Sequence, residues 1–385
     1  MAQGRSLFLG RFLVETGVDG VALREDAWYL ARAFELADQP VARVSPNPRV
    51  GAVLVRDGAI VGEGAHLGPG TAHAEAAAIA AAKDLAEGAT LYVTLEPCCH
   101  YGHTPPCTKA IIAAGIRRVV APIEDPNPEV SGKGFAELRA AGITVDVGSG
   151  ATQAIAQNAS YLHWRSTGRP YVTAKWALSL GGQSAARTGK SLYMTGAAAR
   201  EEAHRLRATS DAVLVGIGTA LADDPQLTVR DVPGQSPLRV VLDSAGRLPL
   251  SSRLLHAEGR TVLYVGDDID EERLKALSDL AEVVRLGQGP RLSLTAVLDD
   301  LGRRDVTSLL VEGGATVHGA FFDQGLVDRV AVFVAPLVLG GREAPPGVAG
   351  LGAESPAKGL RLIGGTWRVL GEDTYFTARV EKEAK

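Results

Sequence analysis

The sequence is poor in cysteine and contains no long apolar run. Its 385 residues include only three cysteines, all of them between Cys98 and Cys107. A disulfide-held secreted domain spreads an even number of cysteines along its chain, so this cluster favours a reducing compartment and a metal-binding or catalytic use. No stretch approaches the roughly 20 apolar residues that span a bilayer. Segment 6–14 resembles a signal core, but Arg11 interrupts it and no cleavage pattern follows. These absences predict a cytoplasmic protein.

The chain also lacks an excess of basic residues. It has 40 Lys and Arg against 44 Asp and Glu, a formal net charge of −4. Proteins that bind nucleic acids usually present a basic face. The charge balance therefore gives no electrostatic reason to expect a nucleic-acid partner, and the lack of a long apolar run gives none to expect a membrane partner. A hydrophobic content of 46% with 22% charged residues is typical of globular proteins, and the length suits two domains.

The sequence pattern predicts two α/β domains. Residues 1–22 are interpreted as an N-terminal extension, 23–147 as the first domain, 148–168 as a linker with a short helical stretch, and 169–385 as the second domain. In the first domain, strands are predicted at 50–56, 59–64, 90–95, 118–121 and 143–147, and helices at 25–38, 73–85, 106–114 and 134–141. In the second domain, strands are predicted at 171–178, 212–215, 239–242, 261–265, 308–312 and 329–336, and helices at 197–207, 271–280, 292–301 and 316–324. This alternation is typical of a mainly parallel sheet.

The first domain contains a candidate catalytic zinc site. His73 begins a predicted helix, Cys98 follows a predicted strand, and Cys107 begins the next helix behind two prolines. One histidine and two thiolates leave the fourth tetrahedral position of zinc for water, whose pKa the metal lowers towards about 7. Glu75, two residues after His73, is placed to transfer protons without binding the metal, as in nucleobase deaminases.

Two other interpretations of this cluster remain open. A structural zinc site would need a fourth protein ligand, which His100 or His103 could supply. A His-Ala-Glu sequence at a helix start also occurs where these polar side chains only face solvent or cap the helix. Cys99 is interpreted as a small packed thiol, because the motif places the ligand directly after Pro97.

The segment Thr94-Leu-Glu-Pro-Cys-Cys-His-Tyr-Gly-His-Thr-Pro-Pro-Cys107 closely resembles the bifunctional deaminase/reductase family of riboflavin biosynthesis. The further matching segments are Asn47-Pro48 with Val50-Gly51, Asp125-Pro-Asn-Pro128, Ala222-Asp-Asp-Pro225 with Leu227-Thr228 and Arg230, and Val311-Glu-Gly-Gly314. The resemblance implies an α/β fold with a cytidine-deaminase-like N-terminal domain followed by a dihydrofolate-reductase-like C-terminal domain. It further implies one Zn²⁺ per chain, NADPH as a second cofactor, and a homo-oligomer.

The implied reactions act in sequence on one pyrimidine nucleotide. The first domain would deaminate 2,5-diamino-6-ribosylamino-4(3H)-pyrimidinone 5′-phosphate, and the second would reduce the ribosyl group to ribityl, giving 5-amino-6-ribitylamino-uracil 5′-phosphate. The positions that match the family's deaminase substrate pocket are Asn47, His66, His100 and His103. The positions that match its cofactor site are Ala177, Tyr193, Thr219, Asp223, Ser244, Gly314, Ala315, Thr316, Val317, His318, Gly319 and Ala320. The positions that match its reductase substrate site are Lys175, Ser191, Arg207, Leu227, Arg230 and Glu312.

General chemistry supports several of these implied roles. Arginines such as Arg207 and Arg230 are permanent cations that bind phosphate through paired hydrogen bonds. Gly313-Gly314 precedes a predicted helix, whose free amides and dipole favour a pyrophosphate. Lys175 and Glu312 are candidates for the proton donor of the reduction.

The sequence departs from the family at His103, where lysine or arginine is usual, and at Gly181, where aspartate is usual. A nucleic-acid deaminase would share His73, Glu75 and Cys98 but would leave the second domain without a purpose. A non-enzymatic NADP-binding protein with a degenerate deaminase is disfavoured because the zinc ligands and Glu75 are all present.

Overall fold

The computed structural model describes residues 15–16, 22–23, 25–39, 43–102, 104–189, 194–287 and 291–382. These residues form two units. The first unit contains residues 25–39 and 49–158, and the second contains 43–48 and 159–382, each without the gaps just given. Predicted site residues His103, Ser191 and Tyr193 lie outside the described residues.

The first unit is built on a five-stranded sheet. Its strands are β3 (Gly51–Arg56), β4 (Ala59–Ala65), β5 (Thr90–Val93), β6 (Arg118–Ala121) and β7 (Thr144–Val147). Its helices are α1 (Asp26–Asp38), α2 (Ala74–Ala82), α3 (Cys107–Ala113), α4 (Lys133–Ala140) and α5 (Ala151–Gln157), with a 3₁₀ turn at Lys83–Ala86. Short strands β1 (Glu15–Thr16) and β2 (Ala22–Leu23) pair with each other before them.

The strand order in this sheet is β4-β3-β5-β6-β7. Strand β3 pairs antiparallel with β4 and β5, whereas β5, β6 and β7 are parallel. A two-residue turn at Asp57-Gly58 joins β3 to β4, and both residues have the positive φ angles that such a turn requires. Every predicted strand and helix of this unit is present, with ends shifted by at most a few residues.

Helices cover both faces of the sheet, and the close approach of α2 positions the candidate site. Helix α1 packs on one face, while α2, α3 and α4 pack on the other. Helix α2 is almost entirely alanine, and it lies directly against two glycines of β4. A Cβ atom on Gly64 would lie 2.3 Å from the backbone oxygen of Ala74. The start of α2 is therefore fixed by backbone contact, without intervening side chains.

The second unit contains a nine-stranded sheet. Its strands are β8 (Tyr171–Ser179), β9 (Ala212–Gly216), β10 (Leu238–Leu242), β11 (Thr261–Val265), β12 (Glu282–Arg285), β13 (Ser308–Gly313), β14 (Arg329–Ala335), β15 (Leu362–Leu370) and β16 (Asp373–Val380). Its helices are α6 (Ala159–Thr167), α7 (Ala197–Ala208), α8 (Ile217–Asp223), α9 (Arg253–His256), α10 (Glu271–Ser278), α11 (Leu294–Arg303) and α12 (Ala315–Asp323), with a 3₁₀ turn at Pro356–Lys358.

The strand order is β12-β11-β10-β9-β13-β8-β14-β16-β15. All pairings from β12 to β14 are parallel, and the last two strands are antiparallel. The central strands are buried on both faces, with separate apolar clusters beneath α11 and α12 and beneath α8, α9 and α10. The predicted mainly parallel sheet is confirmed, although β12, β15, β16, α8 and α9 were not predicted.

Residues 148–168, interpreted as a linker, contain two helices. Helix α5 belongs to the first unit, where Gln157 donates to the backbone oxygen of Phe34. Helix α6 belongs to the second unit, where the indole of Trp164 donates to the backbone oxygen of Gly302. None of the helices in the described ranges combines the length and apolar character needed to cross a membrane.

Candidate metal centre and reductase site

Three predicted metal ligands meet at the start of α2. His73 precedes α2, Cys98 lies in the segment after β5, and Cys107 is the first residue of α3. Their potential ligand atoms all lie within 4.8 Å of one another. The Nδ1 atom of His73 is 3.2 Å from the Cys107 sulfur and 3.5 Å from the Cys98 sulfur. No fourth His, Cys, Asp or Glu joins this cluster among the residues that the structure describes.

The surroundings of these three residues suit a zinc ion. The Nε2 atom of His73 lies 3.2 Å from the hydroxyl oxygen of Thr104, so its N–H can donate there while Nδ1 faces the sulfurs. The backbone N–H of Cys107 points to the Cys98 sulfur at 3.4 Å. Hydrogen bonding from Cys107 and His73 lowers the pKa of the Cys98 thiol and favours the thiolate that metal binding requires. One nitrogen and two sulfurs at this spacing suit zinc, and within the described ranges they leave its fourth position without a protein ligand.

Glu75 lies beside the three ligands in the first turn of α2 and is 4% exposed. Burial, together with the negative charge of Cys98, raises the pKa of its carboxyl to about 7. A carboxyl with a pKa near 7 exchanges protons readily at neutral pH, which is the property a general acid–base requires.

Two of the predicted deaminase substrate residues lie in the first unit within the described ranges. His66 directly follows β4 and is 3% exposed, with its ring edge-on to that of His73 at 5.4 Å between centroids. Burial lowers the pKa of His66, so this ring is neutral near pH 7. His100 is half-buried; its Nε2 lies 3.7 Å from a carboxylate oxygen of Glu129, and its buried Nδ1 has no hydrogen-bond partner among the described residues. Asn47 lies in a turn within segment 43–48 of the second unit.

Glu96 organises the loop behind the metal centre, although it was not among the predicted site residues. It is 3% exposed and accepts hydrogen bonds from the backbone N–H groups of Asp125, Gly132 and Phe135. A Cβ on Gly134 would lie 2.2 Å from the backbone oxygen of Pro97, so the segment around Cys98 packs tightly on α4. The acidic residue in Glu96-Pro-Cys98 was the available signal, but its burial depends on contacts about 30–40 positions away.

In the second unit, the predicted cofactor residues gather at one edge of the sheet. Ala177 lies near the end of β8, Thr219 on α8 just after β9, Ser244 just after β10, and Gly314 directly after β13. Strands β10, β9, β13 and β8 are consecutive neighbours and parallel, so their carboxyl ends form one edge. Ligands of open α/β sheets bind at such an edge. The described cofactor residues not yet placed lie on α8 or α12, and they are Asp223, Ala315, Thr316, Val317, His318, Gly319 and Ala320.

The starts of α8 and α12 lie against each other at this edge. A Cβ on Gly314 would lie 3.1 Å from the hydroxyl oxygen of Thr219, and one on Gly216 would lie 2.6 Å from a methyl group of Val317. Because neither glycine has a side chain, the backbone at this edge is left uncovered. This suits close approach of a phosphate-bearing ligand to the amides that begin α12. His318 is buried on α12, with its two ring nitrogens close to the backbone oxygens of Gly347 and Val311.

Three predicted substrate residues form one buried ionic cluster. Glu312 on β13 receives two hydrogen bonds from Arg207, at 2.5 and 2.9 Å, and Lys175 lies 3.5 Å from the same carboxylate. The Glu312 side chain is 7% exposed. Burial alone would raise its pKa, but the charges of Arg207 and Lys175 lower it to about 2. Glu312 is thus a carboxylate near neutral pH and a poor proton donor, which leaves Lys175 as the better of the two candidates.

The remaining predicted substrate residues within the described ranges, Leu227 and Arg230, lie on the loop before β10. Leu227 is 2% exposed, while Arg230 is exposed and donates to the side-chain oxygens of Gln226 and Thr228. Arg207 also reaches this loop, donating to the backbone oxygen of Thr228 at 3.3 Å. Arg207 was predicted as a phosphate ligand. In the structure its guanidinium also has a second role, because it binds and orients the Glu312 carboxylate.

Comparisons with known proteins agree with both halves of this description. The family model for the cytidine and deoxycytidylate deaminase zinc-binding region matches residues 23–122, and the model for the RibD C-terminal domain matches residues 170–376. The chain is 43% identical over 363 residues to the riboflavin biosynthesis protein RibD of Bacillus amyloliquefaciens, covering 94% of this chain and 97% of the relative.

Solved structures give the same result. The structure of Acinetobacter baumannii RibD has a TM-score of 0.83 and 37% identity, covering 93% of this chain and 99% of that one. A Thermotoga maritima diaminohydroxyphosphoribosylaminopyrimidine deaminase/5-amino-6-(5-phosphoribosylamino)uracil reductase has a TM-score of 0.80 and 34% identity, covering 92% and 99%. The expected fold class is confirmed. The chain belongs to the RibD family of riboflavin biosynthesis, bifunctional enzymes with a zinc-dependent deaminase domain followed by an NADPH-dependent reductase domain.

Proposed function

We propose that the first unit deaminates 2,5-diamino-6-ribosylamino-4(3H)-pyrimidinone 5′-phosphate at a zinc centre held by His73, Cys98 and Cys107. The observation that carries this proposal is the meeting of three donor atoms within 4.8 Å beside the buried carboxyl of Glu75. The name of the similar Thermotoga protein, a deaminase for a pyrimidine of this kind, supports the choice of substrate.

The residues of the first unit divide the work of this reaction. Zinc, when bound, supplies the Lewis acidity that makes water a competent nucleophile near neutral pH. Glu75, with a pKa of about 7, accepts a proton from the attacking water and delivers one to the departing amine. His66 and His100 bind the substrate, and the same role for Asn47 and His103 stays a prediction from the sequence. Neutral His66 presents an uncharged face to the pyrimidine, because burial disfavours its protonated form.

We further propose that the second unit reduces the ribosyl group of the deaminated product to ribityl with NADPH. The cofactor supplies the hydride. The four adjacent strand ends that carry Ala177, Thr219, Ser244 and Gly314 hold it, together with Tyr193 and Asp223 and the first turns of α12.

The substrate of the reductase is held by residues on several elements. Arg230 is exposed, and among the described residues its guanidinium bonds only to neutral oxygens of its own loop, so it is the better phosphate ligand of the two arginines. Arg207 orients the Glu312 carboxylate, which accepts from the substrate hydroxyls, and Lys175 supplies the proton. Leu227 and Ser191 complete the predicted set.

The test is one assay in two parts. The zinc-loaded chain is given the diaminopyrimidine nucleotide with and without NADPH, while ammonia and the absorbance of the reduced cofactor are followed. We expect ammonia in both reactions and cofactor oxidation only after deamination. Ammonia from a tRNA substrate, with none from the free nucleotide, would overturn the assignment in favour of a nucleic-acid deaminase.

The same proposal covers the oligomeric state, the cellular compartment and the partners of the protein. We propose that the chain acts as a homo-oligomer in the cytoplasm, on small molecules and without nucleic acid or membrane partners. The clustered cysteines support a reducing compartment, and the net charge of −4 supports the absence of a nucleic-acid partner. We also retain the domain boundaries 23–147 and 169–385, with residues 1–22 as an extension and 148–168 as a helical linker.

A further inference from the structure

His204 lies on the buried face of α7 and contacts the loop that carries Arg230. Its side chain is 7% exposed. The backbone N–H of Arg230 donates to the Nδ1 atom of His204 at 3.1 Å, and the Nε2 atom lies 3.4 Å from a carboxylate oxygen of Asp231. An imidazole that accepts at Nδ1 carries its proton at Nε2, so one neutral tautomer satisfies both neighbours.

The loop in question, residues 225–231, has no regular secondary structure to fix its shape. Leu227 has a φ angle of +54°, a conformation that leucine adopts only when its surroundings enforce it. Two residues outside the loop bond to its backbone: Ser236 accepts from the N–H of Val229, and Arg207 donates to the oxygen of Thr228. The hydrogen bond to His204 falls at Arg230 itself.

His204 and Arg207 are three residues apart and therefore lie on the same face of α7. Arg207 donates to the Glu312 carboxylate and to a backbone oxygen in the middle of the loop, whereas His204 accepts from the backbone N–H near the end of the loop. One helix face thus fixes the relative positions of two groups that bind the reductase substrate.

We propose that His204 is a positioning residue of the reductase, whose neutral ring holds the Arg230 backbone so that the guanidinium meets the substrate phosphate. This inference rests on the proposed role of Arg230 as a phosphate ligand. His204 does not contact the substrate; it acts through the hydrogen bond to the Arg230 amide.

Protonation of His204 opposes this arrangement. An imidazolium has no acceptor at Nδ1, so the N–H of Arg230 would face a second N–H. The charged groups around the ring are Arg207 on the same helix, Arg230 and Asp231 on the loop, and Glu312 on β13. Burial, followed by the charge of Arg207, lowers the pKa of His204 below its ordinary value. The holding contact is therefore present at neutral pH and is lost as the pH falls.

The test compares two substitutions of His204 in the full zinc-loaded chain. His204→Asn keeps an acceptor at the place of Nδ1 and cannot be protonated near neutral pH, whereas His204→Leu removes the acceptor. At pH 7.5 we expect His204→Leu to raise the reductase KM for the deaminated nucleotide about 3- to 10-fold, the effect of one lost hydrogen bond. The kcat of His204→Leu and its KM for NADPH stay close to those of the parent. His204→Asn keeps the substrate KM of the parent.

A pH series supplies a readout that a purely structural role would not change. Between pH 7.5 and 5.5 the substrate KM of the parent rises more steeply than that of His204→Asn. Hydrogen exchange adds a measurement independent of activity, because the Arg230 amide exchanges faster in His204→Leu and at parent rates in His204→Asn. Equal pH profiles for parent and His204→Asn, or a His204→Leu variant with lowered kcat and unchanged substrate KM, would overturn the proposal.

Arg230→Ala separates this inference from the function on which it rests. If Arg230→Ala leaves the substrate KM unchanged, the proposed role of Arg230 is wrong and the role of His204 falls with it. If Arg230→Ala raises the KM while His204→Leu does not, only the inference about His204 is wrong. When His204 acts through Arg230, the double variant has a KM close to that of Arg230→Ala alone.

Discussion

Replacing Glu312 by glutamine should destabilise the second unit strongly, because the substitution leaves two buried cations without their anion. Arg207 and Lys175 have side chains that are 13% and 16% exposed, and both contact Glu312. Glutamine has nearly the same shape as glutamate, so the change removes charge with little change in packing. The expected effect is therefore electrostatic.

Two independent considerations give the same magnitude. The pKa of Glu312 is lowered from 4.5 to about 2, and a shift of that size corresponds to about 3 kcal/mol of stabilisation at neutral pH. Removing one partner of a buried ion pair costs about 3–5 kcal/mol in other proteins. Since the folded pKa lies below the unfolded one, this stabilisation is complete above pH 4.5 and is lost as the pH falls towards 2.

Native-state hydrogen exchange measures this effect within one unit. At pH 7, a loss of about 3 kcal/mol lowers the protection of amides in β8 and β13 on the order of 100-fold. Amides of β3 and β5 in the first unit serve as the internal reference. Glu354→Gln is the matched control, because Glu354 and its partner Lys358 are both exposed and the pair should contribute well under 1 kcal/mol.

The reasoning would be refuted by a decrease in β8 and β13 protection of less than about tenfold, which corresponds to 1.4 kcal/mol. It would also fail if Glu312→Gln and the parent differed as much below pH 3 as they do at pH 7. An equal decrease in β3 and β5 would show that the effect is not local.

Three further substitutions test other parts of the structure. Glu75→Ala should abolish ammonia release while metal analysis still finds about one zinc per chain; parallel loss of zinc would show that Glu75 is structural. Gly64→Val should lower the free energy of unfolding by at least about 1–3 kcal/mol and reduce deaminase activity, because its Cβ would lie 2.3 Å from the backbone oxygen of Ala74. Ala81→Val, on the exposed side of α2, is the control and should keep the stability and the activity of the parent. Arg239→Met should lower the free energy of unfolding of the second unit by about 3 kcal/mol. Arg239 is 1% exposed, and its loss leaves the backbone oxygens of Ala257, Glu258 and Gly259 without its hydrogen bonds. An unchanged unfolding temperature would contradict this.

The central strands were predictable because each is a short apolar run between turns. The predicted strand 261–265 coincides with β11, and 118–121 coincides with β6. Both are largely buried and have a parallel neighbour on each side, a setting in which apolar residues continue without alternation. Packing and local propensity agree there, so the sequence pattern was sufficient.

The edges of the second sheet were missed for the opposite reason. Strand β15 is exposed along almost its whole length and contains two glycines where its register shifts. Strand β12 has only four residues, with charged residues at both ends. Neither has the apolar pattern of a buried strand, so their place in the sheet follows from pairing with neighbours and not from their own composition.

The candidate site shows the same division between local and distant information. The spacing of His73, Glu75, Cys98 and Cys107 carries its own chemistry, and the structure brings all three predicted ligands together. The engagement of Arg207 by Glu312 joins residues 105 positions apart. His204 and Glu96 likewise act on backbone groups that only the fold places beside them. A single sequence contains no signal for such partners.

The strand order of the second unit determines when each strand can meet its neighbours during synthesis on the ribosome. Strand β8 is made first, yet its two neighbours are β13 and β14, whose residues follow roughly 140 and 160 positions later. At about 5–20 residues per second, β8 waits on the order of 10–30 seconds for β13 to be translated. During that time both of its edges lack their final partners. Strand β8 therefore stays without both neighbours for most of the synthesis of the second unit, whereas the sheet of the first unit is complete once β7 has emerged.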